Sequence, residues 1–301
     1  MKALILAAGL GTRMKGLTEK RPKALMPIAN RPVIARNIEY LMSFGVRHFA
    51  VNAHHHHVQI VEYLNGGIPF GVEIDVRVEK DILGTGGAIK NFSDFFGDDP
   101  FIVLNADILT DIDLEKAYNC HVNSGKIATM ILHDYEPFNQ IMIRDSHIID
   151  ISRQKSPERL AFTGIHIISP DILSYMPESG YSDIIDCYNR LIRSGKAIGA
   201  YVSERHYWRD IGTPESYIAA NRERLEFENR SFIVGHDSEI ALSASFTGWA
   251  AAGRGAVLED GVEVKRSILW DNVTVKKGVK ITDSVVTSLK VIDHDLMKEI
   301  L

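Results

Sequence analysis

A glycine-rich turn followed by cations is the feature of this sequence with the clearest chemical meaning. The apolar run Ala3–Ala7 passes directly into GLGTRMK at Gly9–Lys15, and an Arg-Pro-Lys run follows at Arg21 to Lys23. A strand that ends in a glycine turn exposes backbone N–H groups to phosphate oxygens, and nearby cations add to that field. Met14 stands where a dinucleotide fingerprint has its third glycine, and no Gly-Lys-Ser/Thr closes a Walker loop. The pattern therefore predicts a site for a polyphosphate, with a plain turn as the alternative.

Two aspartates are placed where a ligand could reach them. Asp107 follows the continuous apolar run Phe101–Leu104 by three residues, so we expect it just beyond the carboxyl end of a buried strand. Ligands of open α/β sheets bind at that edge. Asp210 precedes a helix that is predicted to begin at Pro214. A turn or helix-cap role for Asp107 and an ordinary loop role for Asp210 are the structural alternatives.

Short apolar runs alternate with amphipathic helical patterns over most of the chain, which predicts an α/β fold. Such alternation favours a Rossmann-like, mixed but mostly parallel sheet with helices on both faces. Thr213 is the expected cap of the helix at Pro214, which should run to about Glu228. Further strands are predicted at Phe49–Val51, Val72–Val78, Ile127–Leu132, Ile165–Ile168 and Ile198–Val202. A further helix is predicted at Val58–Leu64, and another is opened by Asn30 and Pro32 and ended by Gly45.

The pattern changes near residue 230. Apolar residues then recur at steps of six, five, six and six positions, at Val262, Ile268, Val273, Val279 and Val285. A period near six is typical of a β-helix, in which each turn stacks one aliphatic residue on the last. We therefore predict a larger domain over 1–229 and a short left-handed β-helix with a tail over 230–301, with ordinary strands as the alternative. Residues Ile292–Leu301 are expected to close it as a short helix or tail.

Composition limits the classes to which this chain can belong. The 301 residues carry 34 Lys and Arg against 39 Asp and Glu, a formal charge of −5, which argues against a general nucleic-acid binder. No apolar run reaches the roughly 18 residues of a membrane span, and the apolar start is too short and glycine-interrupted for a signal peptide. Two cysteines form neither a disulfide framework nor a Cys-rich metal site. These features predict a cytoplasmic, enzyme-sized protein.

Seven short motifs stand in a fixed order along the first three quarters of the chain. They are LAAGLGTR at 6–13, LT at 17–18, PKALMP at 22–27, VN at 51–52, LGTGGA at 83–88, LNAD at 104–107 and WRDIGTP at 208–214. Together they resemble the signature of the sugar-1-phosphate nucleotidyltransferases, a family in which a C-terminal β-helix also occurs. Gly16, Ala24 and Ala106 depart from the family's usual Pro, Pro and Gly. None of these changes removes a charge that the chemistry needs.

The resemblance implies a role for each matching residue. Arg13 and Lys23 would be catalytic, with Arg13 on the departing β- and γ-phosphates and Lys23 at the reacting centre. Asp107 and Asp210 would hold a catalytic Mg²⁺. The nucleotide would be bound by Leu6, Ala8, Gly9, Gly11, Thr12, Arg13, Gly84, Thr85 and Gly86, and the sugar phosphate by Asp81, Lys155, Thr163 and Gly164. Asp81 is shorter than the Glu that many members place there, so the identity of the sugar stays open.

The reaction implied is attack of a sugar-1-phosphate oxygen on the α-phosphorus of an NTP, with pyrophosphate leaving. The nucleophile has a second pKa of about 6 and is ionised at neutral pH, so no general base is needed. The barrier is mainly repulsion between two anions and their misorientation, and the protein must neutralise and align them. Arg13, Lys23, Lys155 and carboxylate-bound Mg²⁺ suit that task.

Base and sugar are left open by the sequence. The short β-helix makes the chain most similar to the mannose-1-phosphate guanylyltransferases. Uridylyl or thymidylyl transfer to a glucose- or N-acetylmuramate-type sugar is the nearest alternative, and choline-phosphate cytidylyltransferases share the N-terminal signature. A non-catalytic subunit that binds nucleotide sugar is a further alternative. An acyltransferase is disfavoured because Val257–Ser288 contains no histidine to act as base.

Two further expectations concern association and metal binding. The β-helix is expected to pack on the catalytic domain or on a neighbouring chain, which predicts a homo-oligomer. The four histidines His54–His57 lie at a predicted strand-to-helix junction. Four consecutive side chains cannot all face one metal on a strand or helix, so a structural or edge-of-site role is favoured over metal binding.

Overall fold

The computed structural model describes residues 1–65, 71–152, 154 and 156–301. Its contacts divide the chain into two compact units. The first unit consists of Met1–Leu10 and Asn37–Trp208, and the second consists of Gly11–Arg36 and Arg209–Leu301. Among the described residues, no helix combines the length and apolar character that a membrane span requires.

Helices and strands follow the predicted alternation. The helices are α1 Val33–Ser43, α2 His57–Asn65, α3 Gly84–Asn91, α4 Ser93–Phe96, α5 Leu114–Ser124, α6 Ile184–Arg193 and α7 Pro214–Phe227. The strands up to α7 are β1 Lys2–Leu6, β2 Pro27–Ile28, β3 Arg31–Pro32, β4 His48–Ala53, β5 Glu73–Val78, β6 Phe101–Asn105, β7 Ile108–Thr110, β8 Ala128–His133, β9 Asn139–Arg144, β10 His147–Ile151, β11 Arg159–Ile168, β12 Gly199–Val202 and β13 Trp208–Asp210. The strands after α7 are β14 Phe232–Val234, β15 Glu239–Ile240, β16 Ser245–Ala252, β17 Val257–Leu258, β18 Glu263–Leu269, β19 Thr274–Val275, β20 Lys280–Thr282, β21 Val285–Val286, β22 Val291–Ile292 and β23 Leu296–Met297.

The first unit is built on a mixed sheet of order β5-β4-β1-β6-β11-β8-β12-β10-β9. Strands β5, β4, β1 and β6 pair in parallel, as do β8 and β12. Strand β11 runs antiparallel to both β6 and β8, and β10 runs antiparallel to β12 and β9. The predicted α/β class and mixed sheet are confirmed. The carboxyl ends of β1, β4, β6 and β8 therefore lie at one edge of the sheet.

The burial of these strands explains their order in the sheet. Ala3, Leu4 and Ile5 of β1 are fully buried, and so is the run Phe101–Leu104 of β6. A strand with apolar residues at every position belongs in the middle of a sheet that is covered on both faces. The alternating pattern of strand β5 predicted one face that is more exposed to solvent. This strand is only partly buried, and it is an outermost strand of the sheet.

The C-terminal part of the second unit consists of parallel strands. They form the orders β14-β16-β18-β20-β23, with β21 also on β18, and β15-β17-β19-β22. Phe232 pairs with Ala250 and Val257 pairs with Thr274, so partners lie 18 and 17 positions apart. The five residues of the six-residue period are all buried: Val262, Ile268, Val273, Val279 and Val285.

The chain end continues this arrangement. Val291 of β22 pairs with Thr274, and Leu296 of β23 pairs with Ile281. The expected closing helix is therefore wrong, because Ile292 and Leu296 are spaced to extend the rows of buried aliphatic residues. Strand pairing also satisfies their backbone groups.

Helix α7 is joined to the rest of the second unit through a buried tyrosine. Its start is capped as predicted, with Thr213 Oγ1 accepting a 3.2 Å hydrogen bond from Ser216 N. Tyr217 is fully buried, and its hydroxyl donates to Pro27 O at 2.8 Å. The same hydroxyl accepts from Trp270 Nε1 at 2.9 Å.

Replacing Tyr217 with Phe should therefore lower the free energy of unfolding by about 1–3 kcal/mol, because the buried indole N–H of Trp270 loses its acceptor. Urea denaturation of the full chain, followed by tryptophan fluorescence, would measure this. Tyr175→Phe is the matched control, since that ring is 41% exposed. Equal unfolding midpoints for the two variants would contradict the importance of this hydrogen bond.

Candidate active site

The glycine turn and Asp107 follow neighbouring parallel strands of the first unit. Leu6, the last residue of β1, pairs with Asn105, the last residue of β6. The amide of Ala106 also donates to Leu6 O at 3.0 Å. Gly9 is exposed, and a Cβ added there would meet no atom within 4 Å. The open glycine turn and the residue Asp107 thus follow the ends of two adjacent strands at the same edge of the sheet, where sequence analysis expected them.

A buried polar network holds the start of the turn. Ala7 N donates to Asn52 Oδ1 at 2.7 Å, and Asn52 Nδ2 donates to Glu79 Oε1 at 2.8 Å. The second oxygen of Glu79 accepts from Leu83 N at 2.9 Å. Both side chains are almost fully buried. Asn52 and Glu79 therefore tie the turn after β1 to the start of α3, a link that the VN motif alone did not reveal.

The glycines of the LGTGGA motif allow a loop to pack against α3. A Cβ on Gly84, whose φ is +71°, would lie 2.6 Å from Ser182 O. Gly86 N donates to the same carbonyl at 2.8 Å, and Thr85 Oγ1 accepts from Ile184 N at 2.9 Å. The loop leading to α6 thus packs against the first turn of α3. The expected nucleotide contacts of Gly84, Thr85 and Gly86 remain predictions.

Two residues predicted to contact the sugar phosphate lie in the middle of β11. Thr163 is fully buried, and its hydroxyl donates to Ile131 O at 2.8 Å. A Cβ on Gly164, whose φ is +80°, would lie 3.0 Å from Asn105 Nδ2. The small residue lets β11 approach the end of β6 closely. The predicted sugar contact at this position remains a prediction.

Asp81 and the histidine run are the remaining predicted positions that the structure describes. Asp81 is exposed in the segment between β5 and α3, and Lys155 lies outside the described residues. His54 Nδ1 pairs with Glu79 O at 2.9 Å, and His57 Nδ1 pairs with His54 O at 3.1 Å. In the described part of the chain, no group of three or more His, Cys, Asp or Glu side chains is arranged to hold a metal. The contacts of the histidine run with backbone carbonyls fit the structural role that the sequence favoured.

An aromatic pocket lies at the carboxyl end of β8, and sequence analysis did not identify it. Its volume is about 320 Å³, and its lining consists of His133, Asp134, Tyr135, Ser203, Glu204, Arg205, His206 and Trp208. The Trp208 ring lies 4.6 Å from His133 and 5.1 Å from Tyr135 between centroids. In the sheet, only β11 lies between β8 and β6. The pocket at the end of β8 therefore lies about two strand spacings, or 10 Å, from the end of β6, which Asp107 follows.

Polar groups complete the aromatic pocket. Trp208 Nε1 donates to Thr163 O at 2.8 Å, which fixes the indole. Ser203 Oγ contacts His206 Nδ1 at 3.0 Å, and His206 Nε2 contacts His133 Nδ1 at 3.2 Å. Burial, with a smaller contribution from His206, lowers the pKa of His133 to about 4, so the ring is neutral at pH 7. Aromatic faces combined with neutral hydrogen-bonding groups suit a ligand with both C–H faces and hydroxyls.

The second unit brings together three of the predicted charged residues. Lys23 Nζ lies 3.8 Å from Asp210 Oδ1, and the two side chains are only 13% and 19% exposed. A Cβ on Gly212 would lie 2.8 Å from Asp210 Oδ1 and 2.9 Å from Arg13 Nη2. Because Gly212 has no side chain, the Asp210 carboxylate and the Arg13 guanidinium can both lie against it. The Lys23 ammonium group lies beside the same carboxylate, so the three charged groups are close together. Such a cluster can bind a phosphate group and a cation at once.

The turn that carries Arg13 is closed by local hydrogen bonds. Gly11 has a φ of +67°, and its carbonyl accepts from Met14 N at 2.9 Å and from Thr18 Oγ1 at 3.0 Å. Thr12 begins the short 3₁₀ segment that ends at Thr18. The LT motif thus holds the glycine turn in shape, while the exposed Arg13 side chain projects from it.

Several known proteins are similar to this chain over most of its length. A family model described as nucleotidyl transferase matches residues 2–226. A UTP–glucose-1-phosphate uridylyltransferase from Synechocystis is 28% identical over 95% of this chain and 87% of its own length. A mannose-1-phosphate guanylyltransferase from Mycobacterium tuberculosis is 24% identical over 92% of this chain and 81% of its own. The crystal structure of HddC from Yersinia pseudotuberculosis complexed with GMP-PN matches with a TM-score of 0.65 and 25% identity, over 74% of this chain and 99% of HddC.

Proposed function

The chain belongs to the nucleotidyl transferase family, and we propose that it condenses an NTP with a sugar-1-phosphate to give an NDP-sugar and pyrophosphate. The observation that carries this proposal is the position of Gly9 and Asp107 after adjacent parallel strands of one sheet. An open turn of backbone N–H groups beside a carboxylate is suited to a triphosphate that arrives with a cation.

The cluster in the second unit supports the same reaction. Arg13 would neutralise the β- and γ-phosphates as they leave, and Lys23 would stabilise negative charge at the α-phosphorus. The sugar phosphate is already ionised at pH 7, since its second pKa is about 6, so its oxygen attacks without a general base. Catalysis then rests on alignment and charge neutralisation. The other predicted nucleotide contacts, at Leu6, Ala8, Gly9, Gly11 and Thr12, belong to this proposal.

Asp107 and Asp210 are the residues that we propose as Mg²⁺ ligands. Both offer carboxylate oxygens, the donors that Mg²⁺ prefers, and Gly212 leaves space beside the Asp210 carboxylate. Mg²⁺ commonly takes one or two protein carboxylates and fills its other positions with phosphate oxygens and water. A pair of aspartates therefore fits this ion. When bound, Mg²⁺ would supply charge neutralisation and alignment of the triphosphate.

We propose that the sugar ring binds in the aromatic pocket, with Tyr135 and Trp208 against its C–H face. Neutral His133 and His206 would then exchange hydrogen bonds with sugar hydroxyls. A mannose-type sugar with GTP is the first proposal, supported by the mycobacterial relative and by the GMP-PN bound to HddC. Uridylyl or thymidylyl transfer to a glucose-type sugar is the alternative, supported by the cyanobacterial relative.

Pyrophosphate release tests the proposal. Each of the four NTPs would be combined with a panel of sugar-1-phosphates in the presence of Mg²⁺. We expect release with at least one pair, and a matching NDP-sugar detected by mass spectrometry. If no pair releases pyrophosphate but the chain binds NDP-sugars, the non-catalytic alternative would replace this one, although Arg13, Lys23, Asp107 and Asp210 disfavour it.

The finer structural expectations from the sequence also stand as proposals. We propose that helices cover both faces of the first unit's sheet, and that the C-terminal strands form a left-handed β-helix. The corresponding domains are 1–229 for catalysis and 230–301 for the β-helix. We further propose a cytoplasmic homo-oligomer that associates through the β-helix, which sedimentation velocity would test.

A further inference from the structure

Arg21 joins the segment that carries Lys23 to the C-terminal strands. Its guanidinium lies 4.8 Å from the centroid of a Trp270 ring. Its Nη2 lies 3.3 Å from Asp271 Oδ2 and 3.1 Å from Ser288 Oγ. Sequence analysis placed Arg21 among the cations near the glycine turn, but in the structure this charged group is engaged by residues about 250 positions away.

The connection from Arg21 to Lys23 is short and stiff. Only Pro22 separates them, and its φ of −66° is fixed by the pyrrolidine ring. Lys23 then begins a 3₁₀ turn in which Met26 N donates to Lys23 O at 3.1 Å. Holding Arg21 therefore restricts the backbone from which the Lys23 side chain reaches Asp210.

Trp270 also supports the other partner of this ion pair. The indole is 2% exposed, and its N–H donates to Tyr217 on α7. Ser216, the neighbour of Tyr217 in the first turn of α7, donates its hydroxyl to the backbone carbonyl of Asp210. One buried side chain of the C-terminal strands thus contacts both the Lys23 segment and the helix that holds Asp210.

We infer that Arg21, stacked on Trp270, is a positioning residue that sets the place of Lys23 at the reacting phosphate. This inference rests on the proposed function. A planar guanidinium can stack on an indole and donate hydrogen bonds in its plane at the same time, whereas a lysine cannot. Misplacement of a charged group by about 1 Å can cost about 100-fold in rate, so a loosened Lys23 segment should slow the chemical step. The C-terminal strands are then part of the support for catalysis.

The test compares Arg21→Met, Lys23→Met and the double variant, using kcat and KM for pyrophosphate release. Arg266→Met is the matched control, because Arg266 belongs to the same C-terminal strands and pairs with Asp283. We expect Arg21→Met to lower kcat at least about tenfold, with KM within about threefold, because position and not binding is lost. Arg21→Lys should restore little, and Arg266→Met should change kcat less than about twofold.

The double variant separates positioning from an independent role. If Arg21 acts through Lys23, the double variant should be as slow as Lys23→Met alone, within about twofold. If the rate losses of the two single variants multiply in the double variant, the inference is overturned. A normal kcat for Arg21→Met while Lys23→Met is slow would also overturn it. A normal kcat for Lys23→Met would overturn both this inference and the role proposed for Lys23. If Arg21→Met does not fold, Asp271→Ala combined with Ser288→Ala removes the same hydrogen bonds and carries the same expectation.

Discussion

Asp107→Asn should lower kcat at least about 100-fold at saturating substrates and Mg²⁺, which corresponds to a loss of about 3 kcal/mol of transition-state stabilisation. Asparagine has nearly the same shape and retains one oxygen, so the loss reflects charge and not packing. Asp107 follows β6 at the edge where the open glycine turn also begins. Without its charge, the carboxylate ligand that we propose for the cation accompanying the triphosphate is lost.

The measurement is pyrophosphate release over a Mg²⁺ titration for Asp107→Asn. Asp98→Asn is the matched control, because Asp98 is exposed in the loop that precedes β6. The thermal midpoint of Asp98→Asn should agree closely with that of the parent, since surface substitutions usually change stability by less than about 0.5 kcal/mol. The midpoint of the partly buried Asp107→Asn is measured beside them to confirm that this variant is folded. Turnover of Asp107→Asn within tenfold of the parent at saturating Mg²⁺ would contradict the proposal that Asp107 is a metal ligand.

Lys23→Met should lower kcat about 100- to 1,000-fold, the effect of removing one preorganised donor from a site that stabilises developing charge. Methionine keeps the length and the apolar stem of lysine and removes only the ammonium group. Lys23 is largely withdrawn from water and lies 3.8 Å from Asp210, so its charge acts in a medium that screens it weakly. KM should change much less than kcat if the charge acts mainly in the transition state.

A lysine of the C-terminal strands is the control for this substitution. Lys265→Met removes an exposed ammonium group and should leave kcat within about twofold of the parent, as expected of a surface change. Adding ethylammonium to a Lys23→Ala variant is a second check, because a small cation can occupy the space that the truncated side chain leaves. A Lys23→Met enzyme with normal kcat and a raised KM would show that Lys23 only binds substrate.

Much of the architecture could be predicted because its signals are local. The apolar runs that predicted β1 and β6 are buried in the centre of the sheet. The six-residue period after 260 falls on buried aliphatic residues. Thr213 caps α7 as its residue type suggested. Each of these features depends on neighbours within a few positions, and such patterns are present in the chain before it folds.

The sequence by itself thus determined the alternation of strands and helices, the helix at Pro214, the position of Asp107 beyond a buried strand, and the glycine turn. Only the tertiary structure decided that Arg21 is held by Trp270, and that segments ending at His133 and Trp208 form one aromatic pocket. The physical reason is distance along the chain. Contacts between residues as far as 267 positions apart depend on the order in which strands and helices pack. A charged or aromatic residue type is compatible with many partners until that packing selects one.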